Sequence, residues 1–432
     1  MNFKNGRVNL LPMPQPPVMF PRIKLRRSAL LPCVALLLLA LPAAPGRAQI
    51  AVRGETVYTM ASEPIQDGVV LIQGGKIERV GPAAQVPVPA GYRVLQAKVV
   101  TPGLIDAHST VGLSGILNQP HDQEQLEKSG PIQPELRALD AYNGRDPLVD
   151  WIRGLGITTI HTGHSPGALI SGQTMIVKTY PPDSDQAVMV PAAMIAANLG
   201  PASLSDKKDK PPGTIPKAVA MLRAELIKVQ EYAQKRAKTD PEKRAARDLH
   251  LESLNAVLEG KMPLLVTVQR HQDILAALRV ANEFKLKLVL DGAADAPLVL
   301  DQIKQSAFPV ILHPTMGRAT RETENLSMET AAKLKQAGIL FALQSGYESY
   351  VPKTRVVLFE AAAAAASGLS ARDALASITI DAARLLGIQD RVGSLAEGKD
   401  ADVALFDGDP FEYVTHCVGT IVAGTLTDSQ PR

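Results

Sequence analysis

Three apolar runs in this chain end in histidine. His108 closes TPGLIDAH, His161 and His164 follow Ile157–Ile160 in ITTIHTGH, and His313 follows PVIL. Imidazole nitrogen is a preferred zinc donor, and three His with one coordination position left open can activate a water for hydrolysis. If the runs are strands of one barrel, their C-terminal ends converge on a single face. His108, His161 or His164, and His313 would then approach one another there. The competing reading is that these are separate polar side chains, each hydrogen-bonded locally. A nucleophilic site has less behind it. Ser109, Ser165 and Ser345 lie near run ends, but none sits in the Gly-x-Ser-x-Gly turn that exposes a nucleophile. The glycines of HTGHSPGALISG lack the Gly-Lys-Ser/Thr end of a phosphate loop. His271, ahead of Gln272-Asp273-Ile274, reads as a capping or surface residue. His121, in NQPHDQEQLEKSGP, reads as part of a solvated lid.

Positioning these residues requires alternating strands and helices. Residues 50–99 are short apolar runs cut by Gly and Pro, the pattern of a small β-structure, and residues 392–426 form a second such stretch. Between them, strands are expected over Thr158–Thr162, Leu264–Val268, Lys287–Leu290, Pro309–Leu312 and Ile339–Leu343. Helices are expected over Ala218–Lys238, Asp273–Glu283, Lys353–Ser367 and Ala371–Ser377, the last with Ser370 as N-cap. Repeated β–α units of this kind suit an α/β fold, specifically a (β/α)8 barrel. Residues 201–217 read as a surface loop. Glu225, Lys228, Glu231 and Lys235 read as one solvated helix face.

A chain of 432 residues accommodates one large α/β domain and a smaller one. The net charge of +3, without a long basic run, argues against nucleic acid as a partner, and a single Trp argues against a stacking platform. The N-terminal region reads as an export signal. Arg22, Lys24, Arg26 and Arg27 precede a short apolar stretch from Ser28 to Leu41, and small residues up to Ala48 suit cleavage. An uncleaved anchor is the alternative, and Met19 is a more ordinary start for such a signal than Met1. Cys33 falls within the signal, which leaves Cys417 alone in the mature chain and permits no internal disulfide. Export without disulfides points to a bacterial periplasm.

Three stretches carry a resemblance: TPGLIDAH at the opening, GITTIHTGHSPGALISGQTMIVK at 156–178, and ALASITIDAARLLGIQDRVGSLAEGKDADVALFDGDP at 374–410. Together they resemble the amidohydrolase superfamily, most closely its exported, imidazolonepropionase-like branch. The resemblance implies a (β/α)8 TIM barrel with a composite β-sandwich formed from both chain ends. The implied boundaries are a signal region at 1–48, sandwich at 49–100, barrel at 101–390 and sandwich again at 391–432. It also implies hydrolysis of C–N bonds in amides, cyclic amides or peptide-like substrates by a zinc or other divalent ion, held by four His and an Asp and sometimes a carboxylated Lys.

Set against that pattern, His108 is the one retained ligand. Thr110 stands where the opening motif has its second His, and Thr267 and Gln269 occupy the two fifth-strand His positions. Gly292 stands at the sixth-strand His, with Asp291 just before it, and Gly346 stands at the catalytic Asp, with Glu348 the nearest carboxylate. Lys178 matches the Lys of the related segment and reads as an ordinary or salt-bridged lysine in the absence of metals. Thr, Gln and Gly are poor or impossible zinc donors. The expectation is therefore a barrel that keeps its pocket while its standard catalysis is impaired or silent, a pseudoenzyme that binds an amide-like small molecule or serves an active paralogue. An active hydrolase with a metal site rebuilt on His108, His161 or His164, and His313 is the alternative. A homo-oligomer or a hetero-partner is compatible with either, and no membrane span is expected once the signal is removed.

Overall fold

In the computed structural model, residues 49–207, 209–347 and 356–428 are described. The residues read as an export signal, Cys33 among them, and Glu348 lie outside them. The N-terminal strands are β1 (Ile50–Val57), β2 (Ile65–Gln73), β3 (Lys76–Pro82) and β4 (Arg93–Pro102). The next are β5 (Leu104–Ser109), β6 (Ile157–Thr162), β7 (Ile170–Gln173), β8 (Met175–Lys178), β9 (Val188–Val190) and β10 (Ile195–Asn198). Then come β11 (Leu264–Val268), β12 (Leu288–Gly292), β13 (Val310–Leu312) and β14 (Phe341–Ala342). The last are β15 (Val403–Phe406), β16 (Cys417–Val422) and β17 (Thr425–Asp428).

Strands from both ends of the described chain share one seven-stranded sheet in the order β17-β16-β15-β4-β1-β2-β3. The join is antiparallel, β15 on β4, with Val403 opposite Pro102 and Phe406 opposite Val99. Its apolar face is a cluster that includes Ile50, Val52, Val70, Ile72, Val100, Val403 and Ile421.

The central residues form a six-stranded sheet, β14-β13-β12-β11-β10-β7, and a four-stranded one, β5-β6-β8-β9. From β10 to β14 every pairing is parallel. Parallel strands covered on both faces read as continuous apolar runs, and Leu264–Val268, Leu288–Leu290 and Val310–Leu312 are buried throughout. The two sheets meet along two seams. At one, the chain passes through Thr174 from β7 to β8, and Thr174 exchanges backbone hydrogen bonds with Met194 and Ala193. At the other, Ala107 N–H donates to Leu343 O, and Ser109 bridges in parallel to Gly346. Strands β7 and β8 run antiparallel to their neighbours β10 and β6, a departure from the all-parallel pattern expected.

The helices lie close to where the sequence puts them: Ile215–Arg236, His271–Phe284, Val357–Ala366 and Ala371–Ser377. The Ser370 hydroxyl accepts from Asp373 N–H as an N-cap, satisfying one of the free donors at that helix start. One assignment is corrected. Glu225 is not part of a solvated face, since it is buried where His250 of the neighbouring helix and Lys228 both reach its carboxylate. The strand expected at 339–343 contracts to Phe341–Ala342, because Leu343 N–H bonds to Ser377 O, outside the ladder. Among the described residues no helix is long and apolar enough to cross a membrane.

Candidate functional site

The parallel runs deliver His108, Thr267, Gln269, Asp291, Gly292 and His313 to the C-terminal ends of their strands, the face on which α/β folds of this type place their chemistry. The centre of the arrangement is Asp291. Its carboxylate accepts from His108 Nδ1 at 3.0 Å, Thr267 Oγ1 at 2.6 Å and Gln344 Nε2 at 2.8 Å, and it is completely buried. Burial works against its charge, but the neighbouring imidazolium and the three donors outweigh that and hold its pKa below the ordinary carboxylate value. Burial likewise opposes the charged form of His108, and here Asp291, aided by the charge of Asp106, raises its pKa above the ordinary value.

Asp106 supports the same site from below. It accepts from the backbone N–H of His108 and of Ser345 and from the Ser345 hydroxyl, yet its complete burial lifts its pKa to about 6. The rings of His108 and Tyr347 lie 5.6 Å apart. Tyr347 OH accepts from Gln269 Nε2 at 3.2 Å, and Gln269 Oε1 in turn accepts from Ala294 N–H. Gly292 has φ +85°, and a Cβ there would stand 2.4 Å from Gln269 Nε2. Gln269 therefore fills the space a larger residue at 292 would need. Gly346, also at positive φ, carries the bridge to Ser109.

The remaining expected residues divide. His161 is 5.7 Å from His108 ring to ring, but its Nδ1 is 2.6 Å from Ala107 O and its Nε2 is 2.7 Å from Thr174 Oγ1, so both nitrogens are engaged. Burial and the charge of His108 push its pKa down to about 3. His313 donates from Nδ1 to Pro314 O, and burial lowers its pKa to about 4. The Nε2 atoms of His108 and His313 and both ring nitrogens of His164 are buried without a hydrogen-bond partner among the described residues. The Thr110 hydroxyl accepts from Ser114 Oγ.

Lys178 is salt-bridged, one of the two readings its sequence offered. Its ammonium is buried between Asp402, at 2.9 Å and 3.0 Å, and Asp400, at 2.9 Å, in the segment that leads into the seven-stranded sheet. His271 is the surface residue of the two readings, not a cap. It sits in the first turn of its helix and bonds through backbone N–H and ring to Asp295. His121 is exposed, as expected of a lid. Residue reading missed Gln344, Tyr347 and Asp106. Asp106 sits inside the TPGLIDAH motif, whereas nothing in FALQSGY marks Gln344 as a donor.

A divalent ion does not fit this set. Asp291 already accepts three hydrogen bonds, both nitrogens of His161 are engaged, and Thr267, Gln269, Gly292 and Gly346 offer poor donors or none. Among the described residues no three His, Cys, Asp or Glu are grouped to hold a metal.

A model of the amidohydrolase family matches residues 313–428. The chain is 25% identical over 424 residues to "Amidohydrolase tasK" of Hapsidospora irregularis, over 88% of this chain and 42% of that protein, so it spans less than half of that relative's length. It is 25% identical over 374 residues to an imidazolonepropionase of Xanthomonas oryzae pv. oryzae, over 80% of this chain and 88% of the relative. The crystal structure of an amidohydrolase from Thermotoga maritima superposes with a TM-score of 0.83 at 26% identity, over 88% of this chain and all of that one. These likenesses support the amidohydrolase superfamily and its α/β fold.

Proposed function

We propose that this chain is an exported, periplasmic member of the amidohydrolase superfamily whose strand-end pocket binds a small amide-like molecule without the metal-assisted hydrolysis of its relatives. The two central sheets are read as one (β/α)8 barrel joined at the Thr174 and Ser109–Gly346 seams, and the seven-stranded sheet as part of a composite sandwich. The observation that carries the proposal is the clasp on Asp291. The carboxylate at the heart of the strand ends is spent on His108, Thr267 and Gln344, where a hydrolase of this kind needs groups free to hold an ion and its water. His–Asp pairing supplies internally the charge balance that a cation would otherwise give. The reading extends to a homo-oligomer or to a non-catalytic partner of an active paralogue, with neither nucleic acid nor membrane as a partner.

A second reading has one observation in its favour. The unpartnered nitrogens of His108, His164 and His313 are donors of the right type for a rebuilt, active metal site. Elemental analysis of the purified chain from residue 49, after growth with added zinc, separates the two. The silent pocket predicts zinc far below one equivalent in folded protein. Near-stoichiometric zinc, lost in His108→Ala and His313→Ala, would overturn it in favour of the rebuilt hydrolase.

A further inference from the structure

Beside the Asp291 clasp lies a small cavity of about 60 Å³ that opens to solvent. Thr267, Gln269 and Tyr347 form one wall, Asn198 and Gly200 another, and Glu322 faces them. Thr267 and Gln269 belong to the site already described, so the cavity is continuous with it.

Glu322 sits on a short 3-10 turn, Arg321–Thr323, in the segment between β13 and the helix Thr330–Ala337. That segment is fastened at several points. Asn325 Nδ2 donates to Asp295 Oδ1 at 2.9 Å, Met316 N–H donates to Glu360 Oε2 at 2.8 Å, and Thr323 Oγ1 donates back to Arg318 O at 2.8 Å. The carboxylate is thus held over the cavity by fixed neighbours. Across from it, Gly200 has no side chain, and a Cβ there would stand 3.3 Å from Glu322 Oε2. That oxygen is buried and has no hydrogen-bond partner among the described residues. Buried carboxylate oxygens are normally paired, so an unpaired one in a cavity wall leaves an acceptor open to a donor that enters the cavity. The nearby Arg270 acts on Glu322 through its charge but makes no hydrogen bond to Oε2. Arg270 Nε is committed to Asp273 at 2.7 Å, and burial, not the Arg270 charge, dominates the Glu322 carboxyl, raising its pKa.

We infer that this cavity is a subsite for a protonated amine or a similar cationic N–H donor, with Glu322 as its counter-ion and specificity-determining residue. An ammonium supplies the donor that Glu322 Oε2 lacks, and a charge-assisted hydrogen bond in a partly enclosed cavity discriminates strongly against neutral or anionic groups. The inference rests on the reading of the strand-end pocket as a ligand site, and it narrows the ligand to an amide-like molecule that carries a positive charge.

Isothermal titration calorimetry on the chain from residue 49, with three probes sharing one primary amide, tests it. β-Alaninamide carries an ammonium, propionamide is neutral and succinamate is anionic. The expected order is β-alaninamide about tenfold tighter than propionamide, with succinamate weakest. Glu322→Gln should bring the ammonium and neutral probes to within about twofold of each other. Retention of the amine preference in Glu322→Gln, tighter binding of succinamate, or no binding of β-alaninamide to the folded wild type would each overturn the subsite. If Glu322→Gln fails to fold, the order of the three probes on the wild type decides alone. Zinc analysis keeps the two conclusions apart. Metal-free protein indifferent to the amine removes the subsite only, whereas zinc-loaded protein that still prefers the amine removes the silent-pocket reading only.

Discussion

His108 and Asp291 face each other across the ends of β5 and β12, Nδ1 to Oδ1 at 3.0 Å, both shielded from solvent. Their separation of 183 residues makes the pair a product of the tertiary fold. A buried pair of this kind adds little over an apolar substitute, but breaking it by removing one partner leaves a charge stranded.

His108→Ala is therefore expected to cost about 3–5 kcal/mol, because Asp291 keeps only Thr267 and Gln344. Asp291→Asn should cost less, since the residue left behind discharges by losing a proton. The double variant should be less destabilised than the sum of the singles, by about 1–3 kcal/mol. Urea unfolding of the four proteins closes the cycle. Additive costs would mean that the two residues are not coupled.

Much of the frame was legible in the residues. Leu264–Val268 is a strand at the expected bounds because the run is short, buried and ends in the β-branched Val266, Thr267 and Val268 before polar residues. Ser370 announces its helix because Asp373 follows three residues on, and the cap bond is present. The clasp on Asp291 was not legible. Its partners His108, Thr267 and Gln344 come from β5, β11 and the segment after β14, and local pattern carries no information on which strand ends meet. Glu225 misled for the opposite reason. Its helical spacing with Lys228 is real, but spacing does not say which face a second helix, carrying His250, will cover. Lys178 shows the same limit, since nothing in GQTMIVK points to its distant partners Asp400 and Asp402.

Asp106 sets a pH dependence. Its folded pKa of about 6 lies above the ordinary 3.8, so the folded state binds this proton more tightly than the unfolded one. The associated stability is fully present below the ordinary value and is lost as pH rises through about 6. A shift of two units corresponds to about 3 kcal/mol. Asp106→Asn, neutral at every pH, removes the effect while keeping one acceptor for Ser345 and His108. The stability of wild type relative to Asp106→Asn should thus fall by about 3 kcal/mol between about pH 4 and pH 7, measured by urea midpoints across the range. Parallel curves for the two proteins would show that Asp106 titrates normally.

Lys178 tests whether the β8 lysine serves catalysis or architecture. Its ammonium is shared by Asp400 and Asp402, which belong to the segment entering β15, while Lys76 and Arg391 also reach Asp400. Lys178→Met preserves much of the side-chain volume but leaves two buried carboxylates short of their common partner, at an expected cost of about 3–5 kcal/mol. The acid limb should change as well. Burial pushes the Asp400 carboxyl up, but Lys178 and the other cations outweigh it and hold the pKa at about 2, below the ordinary 3.8. Its contribution is present above the ordinary value and is lost as pH falls toward about 2. Without Lys178 that loss begins at higher pH, so the acid-unfolding midpoint of Lys178→Met, followed by circular dichroism, should move upward. Propionamide affinity of the folded variant should stay at the wild-type value, because the lysine is held by Asp400 and Asp402, not by the clasp on Asp291. A variant of normal stability that had lost its ligand would instead return Lys178 to the pocket.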